Sequence, residues 1–131
     1  ALDQRFGTGQ TVLHILAMRG HLDLFLKVLK DHRCPKDLLN TLDNSGQSVL
    51  HATARGGRWD IYCYLLAHFD VSKLPLKDAE GVTVAHCAAQ EGAVWFLRRL
   101  KITNPKILTE VDNEGRTILH SAALCNSPKA L

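Results

Sequence analysis

Two kinds of apolar pattern alternate along this chain. In the first, a glycine precedes a hydroxyl residue, two apolar residues and a histidine: Gly9-Gln10-Thr11-Val12-Leu13-His14, Gly46-Gln47-Ser48-Val49-Leu50-His51, Gly81-Val82-Thr83-Val84-Ala85-His86 and Gly115-Arg116-Thr117-Ile118-Leu119-His120. In the second, apolar residues recur at helical spacing, as in the segments from Leu22 to Leu29, Trp59 to Leu66 and Val94 to Leu100. The blocks have the marks of helix starts. Thr or Ser is placed to be an N-cap accepting from an early backbone N–H, and the histidine falls three positions on, where a capping-box partner reaches back. Three and six residues after the histidine come Ala17 and Gly20, Ala54 and Gly57, and Ala89 and Gly92, whereas the last block has Ala122-Ala123 and Asn126. Small alanines allow close helix approach, and Gly, or Asn in the last block, suits the left-handed residue that ends a helix. The pattern therefore predicts pairs of helices, one pair per block.

The histidines step by 37, 35 and 34 residues. Periods of this size belong to stacked arrays, and units of about 33 residues (ankyrin) and about 34 residues (tetratricopeptide) compete. The Trp-Leu-Gly-Tyr pattern of the second is absent. Gly, Thr or Ser, two apolar residues, His and then Ala resembles the ankyrin G-x-T-P-L-H-x-A-A signature. The turns Asp43-Asn44-Ser45-Gly46, Asp78-Ala79-Glu80-Gly81 and Asp112-Asn113-Glu114-Gly115 precede three of the blocks. In ankyrin repeats such D-x-x-G turns form projecting β-hairpin tips. Phe6-Gly7-Thr8-Gly9 lacks the aspartate, so the first hairpin is the least expected.

The resemblance runs from about Phe6 to Ala123 and implies an all-α solenoid of stacked helix-turn-helix units with β-hairpin tips. The single array of residues 1–131 divides into repeats at about 6–40, 41–75 and 76–109, with a partial one at 110–131. It departs from the signature in three places. Val12, Val49, Val84 and Ile118 stand where the helix-starting proline would be, giving up a preset φ for branched surface that can be buried. The first connection carries about four residues more than the ankyrin unit, within Asp31 to Asn40. The last block stops at Leu131, short of a full second helix, so the chain is expected to be part of a longer protein, its last repeat fraying or self-associating through uncovered apolar surface.

Composition narrows the function classes. With 131 residues, 46% hydrophobic and 22% charged, the chain is of the globular kind. A net charge of +3 is too small for a nucleic-acid surface. No apolar run approaches the roughly 20 residues of a membrane span, and the first residues show no signal-peptide core. Cys34, Cys63, Cys87 and Cys125 match no zinc spacing and are expected to be reduced thiols in the cytoplasm, with the nucleus as an alternative.

No catalytic set, cofactor or metal is expected. The block histidines sit one repeat apart along a stack, about 10 Å, too far for shared ligation at 2.0–2.1 Å. Cys87 beside His86 or His51 lacks the frame of a nucleophile elbow. Gly56-Gly57 and Gly7-Thr8-Gly9 lack the lysine of a phosphate loop. Two basic clusters, one around Lys27 to Lys36 and one with Arg98, Arg99, Lys101 and Lys106, are expected to be solvated outer-helix charge. Trp59, Trp95, Tyr62 and Tyr64 are expected to pack in the core or between repeats.

What remains is a binding surface. The resemblance implies that other proteins are bound by the tips and by the exposed ends of the first helices. The tip positions are Thr8, Gln10, Asn44, Ser45, Gln47, Ala79, Glu80, Val82, Asn113, Glu114 and Arg116. The helix-end positions are Met18, Arg19, Arg55, Gly56, Gln90, Glu91, Leu124 and Cys125. Charge grades from Arg19 and Arg55 to Glu80 and Glu91, which suits a partner of mixed charge. The expected function is a non-enzymatic interaction module of a cytosolic scaffold or signalling protein. The alternative is an inhibitor of the kind that holds Rel-type transcription factors in the cytoplasm.

Overall fold

A computed structural model describes residues 7, 9–33, 38–70, 74–75 and 77–124, with no side-chain account of Ser121, Ala122 and Leu124. Seven α-helices follow one another: α1 (Val12–Arg19), α2 (Leu22–Lys30), α3 (Val49–Arg55), α4 (Trp59–His68), α5 (Val84–Gln90), α6 (Val94–Thr103) and α7 (Ile118–Leu124). Two short 3₁₀ turns, Leu38–Asn40 and Pro105–Thr109, carry the chain back from α2 and α6. Helices α1, α3, α5 and α7 pack successively against one another as an inner row. Helices α2, α4 and α6 each lie mainly on the inner helix of their own repeat and form a sparser outer row.

The helix starts fall where the hydroxyl residues predict. Thr11, Ser48 and Thr83 are extended at their caps, and in each case the histidine at the third helical position closes a capping box. The residues replacing proline open the helices, and Val49 and Val84 are buried in the core. Helices α1, α3 and α5 end just before Gly20, Gly57 and Gly92, whose φ of 81°, 67° and 69° lies in the left-handed region that glycine adopts without strain. Gly56 has a different reason to be small, since a Cβ there would lie 1.9 Å from the Met18 carbonyl oxygen. Alanine-lined α3 can thus approach the end of α1. Asn126, expected to end α7, lies outside the described residues, as do Cys34 to Asp37 of the long first connection.

The core runs between the two rows, with Leu13, Phe25, Ile61, Leu65, Phe96 and Leu100 fully buried. Trp59, Tyr62 and Phe96 join α4 to α6 as an aromatic cluster with ring centroids 5.1–5.2 Å apart, two of the three contacts edge-on. Inter-repeat packing therefore holds for Trp59 and Tyr62. It fails for Trp95, which is 70% exposed, because α6 turns that position away from the core side occupied by Phe96 and Leu100.

The tips also differ from expectation. Among the described residues no strand is formed, so the tips are closed turns and not β-hairpins. Each closes with a single pair of backbone bonds, such as Asp43 N–H to the Gln47 carbonyl and Gly46 N–H to the Asp43 carbonyl, too few for a ladder.

Candidate partner-binding surface

Three aspartates shape the tips. The Oδ1 of Asp43 accepts from the N–H groups of Ser45 (2.8 Å) and Gln47 (2.9 Å), Asp78 accepts from Glu80 and Val82, and Asp112 from Glu114 and Arg116, each at 2.8–2.9 Å. One carboxylate thus satisfies two backbone donors and sets the turn. Successive tips are then bonded to each other. Ala79 N–H donates to the Ser45 carbonyl at 2.9 Å, Asn113 N–H to the Glu80 carbonyl at 2.8 Å, and the Asn113 Nδ2 to the Ala79 carbonyl at 3.1 Å.

The block histidines extend this lattice. Nδ1 of His14, His51 and His86 accepts from the N-cap backbone N–H, which leaves the ring proton on Nε2. Nε2 then donates to a tip carbonyl of the following repeat: Gln47 at 3.1 Å, Val82 at 3.0 Å and Arg116 at 3.0 Å. Each histidine therefore caps its own helix and fastens the next repeat. Burial holds His51 below the ordinary imidazole range, in keeping with a neutral ring in both roles. Both ring nitrogens of His51 and His86 are engaged, so neither is free to activate Cys87. Burial pushes the Cys87 thiol up to about 12, and Cys63 is also raised by burial. Cys34 and Cys125 lie outside the described residues. Among the described residues no group of three His, Cys, Asp or Glu is placed to hold a metal ion.

On this scaffold the expected contact residues separate into three groups. Asn44, Ser45, Ala79, Glu80, Asn113 and Glu114 at the tips are exposed, as are Arg19, Gln90 and Glu91 at the helix ends. Others are tied down. Gln47 donates through Nε2 to Asp78 Oδ2 at 2.9 Å and to Cys87 Sγ at 3.7 Å, while its Oε1 accepts from Arg55 Nη1 at 3.1 Å. This brace joins repeats two and three and holds the Arg55 guanidinium at the surface, half-buried. Arg116 pairs with Glu114 and stands 3.8 Å from Asp112. Gln10 is half-buried, Gly56 is packed on Met18, and Met18 packs partly against the core while its carbonyl accepts from Arg58. Val82 leaves the contact set: it is 7% exposed, because its side chain turns into the core where the tip rejoins α5, and its backbone serves the tip, the N–H donating to Asp78 and the carbonyl accepting from His51. Thr8, Cys125 and the Leu124 side chain lie outside the described residues.

The Nε2 bond and the Gln47 brace escape a reading of the blocks one at a time. A signal existed for the first: each histidine is followed at a near-constant distance by the next tip, as a repeated tie between neighbours requires.

A family model described as ankyrin repeats (3 copies) matches residues 1–75, more than half of the chain. The chain belongs to the ankyrin-repeat family. No curated protein matches it at the level that would name a relative. Ankyrin repeats are in general modules that bind other proteins, and are typically without enzymatic activity. No helix among the described residues is long and apolar enough to cross a membrane.

Proposed function

We propose that this ankyrin array is the protein-binding part of a cytosolic scaffold or signalling protein, and that its partner is held by the tips of repeats two to four and the exposed ends of α1, α3 and α5. The observation that carries this reading is the bonded row of tips. Because backbone bonds and histidines fix each tip to the next, the exposed side chains of Asn44, Glu80 and Glu114 stand on a rigid support. Ordering costs on binding are correspondingly small. The charges along the row, Arg19 and Arg55 followed by Glu80 and Glu91, suit a partner segment carrying both signs.

Affinity capture from a cell lysate tests it. The variant Arg55→Glu with Gln90→Ala is expected to lose the bound protein, with a drop of at least tenfold, about 1.4 kcal/mol. Lys27→Glu on the outer helix α2 should retain it. Capture that survives the first variant and fails with the second would place the site elsewhere.

A further inference from the structure

Helix α6 departs from the other two outer helices. Where α2 and α4 carry Asp23 and Asp60 in the first turn, α6 carries Trp95. An aspartate there complements the helix dipole, and a tryptophan does not. The fold buries little of the indole, which is 70% exposed. Trp95, Arg98, Arg99 and Ile102 follow at i, i+3, i+4 and i+7, so they share one face. Ile102 is 77% exposed, and both arginines and Lys101 are exposed. The Arg98 guanidinium lies over the Trp95 ring at 5.2 Å, which steadies the indole at the surface. From Val94 to Thr103 the helix has three basic residues and no acidic one. Among the described residues no carboxylate pairs with Arg98, Arg99 or Lys101.

A following repeat would leave the Trp95 and Ile102 positions open; Cys63 and Tyr64, the counterparts of Arg98 and Arg99, are half-buried in repeat two. Repeat two has a neighbour on either side, yet Asp60 and Ala67, which correspond in register to Trp95 and Ile102, are exposed. These two positions stay open to solvent with a repeat on either side. An exposed aromatic and aliphatic pair within exposed positive charge is complementary to a segment that is acidic and apolar at once.

We propose that the outer face of α6 is a second docking surface, and that it takes an acidic peptide segment of a partner protein: carboxylates on Arg98, Arg99 and Lys101, and an apolar side chain across Trp95 and Ile102. It is separate from the tip surface, so one array can hold two partners at once.

The probe is a fluorescein-labelled peptide of alternating Glu and Leu, titrated with the full chain by fluorescence anisotropy. A Lys and Leu peptide of equal length and vesicles of phosphatidylserine with phosphatidylcholine are titrated beside it. The Glu and Leu peptide is expected to bind and to weaken with added salt. Trp95→Ala should weaken it about thirtyfold, about 2 kcal/mol at 1.4 kcal/mol per factor of ten. Arg98→Glu with Arg99→Glu should abolish binding, and Arg55→Glu with Gln90→Ala should leave it unchanged. All the α6 side chains replaced are exposed, so their urea midpoints should match the parent chain, and a variant whose midpoint falls is exchanged for Trp95→Gln or Arg98→Gln. Equal binding of the Lys and Leu peptide, retention by Trp95→Ala, loss with the Arg55 pair, or preference for the vesicles would each overturn the proposal.

Discussion

The third and fourth repeats begin with the same local device in different surroundings. In α5 the Thr83 hydroxyl lies 2.9 Å from His86 Nδ1, and in α7 the Thr117 hydroxyl lies 2.9 Å from His120 Nδ1. The amide at the third helical position bonds back to the hydroxyl in both. Thr83 and His86 are buried, and His86 Nε2 donates to the Arg116 carbonyl of the next tip. His120 is exposed, and its neighbour Leu119 is 67% exposed where Leu50 and Ala85, at the same position, are 6% and 0%. A capping box is therefore a property of a few consecutive residues. Its contribution to stability is set by the repeat that packs over it, since burial makes an unpaired group costly.

Four measurements break or sharpen this contrast. Phe96→Ala, which opens a cavity between α4 and α6, is expected to cost about 3–5 kcal/mol in urea unfolding, whereas Leu119→Ala should cost under about 0.5 kcal/mol. Equal losses would mean that α7 is as well covered as the middle of the array. His86→Ala strands both the Thr83 amide and the Arg116 carbonyl, for about 2–3 kcal/mol, and His120→Ala about 1 kcal/mol or less. Thr83→Ala should cost about 1–2 kcal/mol and Thr117→Ala about 0.5 kcal/mol, read as lowered urea midpoints, the range that separates buried from solvated caps. Indistinguishable midpoints for that last pair would make the cap insensitive to its neighbour.

The smallest effect is that of a modest change in pH. Burial holds His51 below its ordinary value of 6.5, so the folded chain binds fewer protons than the unfolded chain just below that pH. Stability contributed by neutral His51 is present above about 6.5 and is lost as pH falls through the window beneath it. A slight decrease in the unfolding midpoint between pH 7 and pH 6 is expected, removed by His51→Asn. Ring resonances of His51 followed by NMR should titrate below the usual range. A titration above 6.5 would contradict the neutral, doubly bonded ring.

Much of this was legible because ankyrin-type order is written in short-range signals. Thr11, Ser48 and Thr83 announce caps, Gly20, Gly57 and Gly92 announce ends, and Asp43, Asp78 and Asp112 announce turns, each through bonds that span only a few residues. The binding surface was less legible. Val82 occupies a tip position in the register but turns inward, and Gln47 sits beside a tip yet is spent on Asp78 and Arg55 from neighbouring segments. Position in a repeat identifies the neighbourhood of a side chain. It does not say whether another repeat has already engaged it.

The sequence by itself determined the repeat: where helices start and stop, which residues turn the tips, and that the units must stack, because such a helix pair cannot bury its apolar stripe alone. These depend on interactions within about ten residues and on a period that recurs. Tertiary structure alone decided that His14, His51 and His86 tie each repeat to the next, that the tips are bonded turns without strands, and that Trp95 faces solvent while Trp59 is packed on Tyr62 and Phe96. Those outcomes rest on groups more than 25 residues apart, or on which side of an outer helix meets its neighbour, and local periodicity is silent on both.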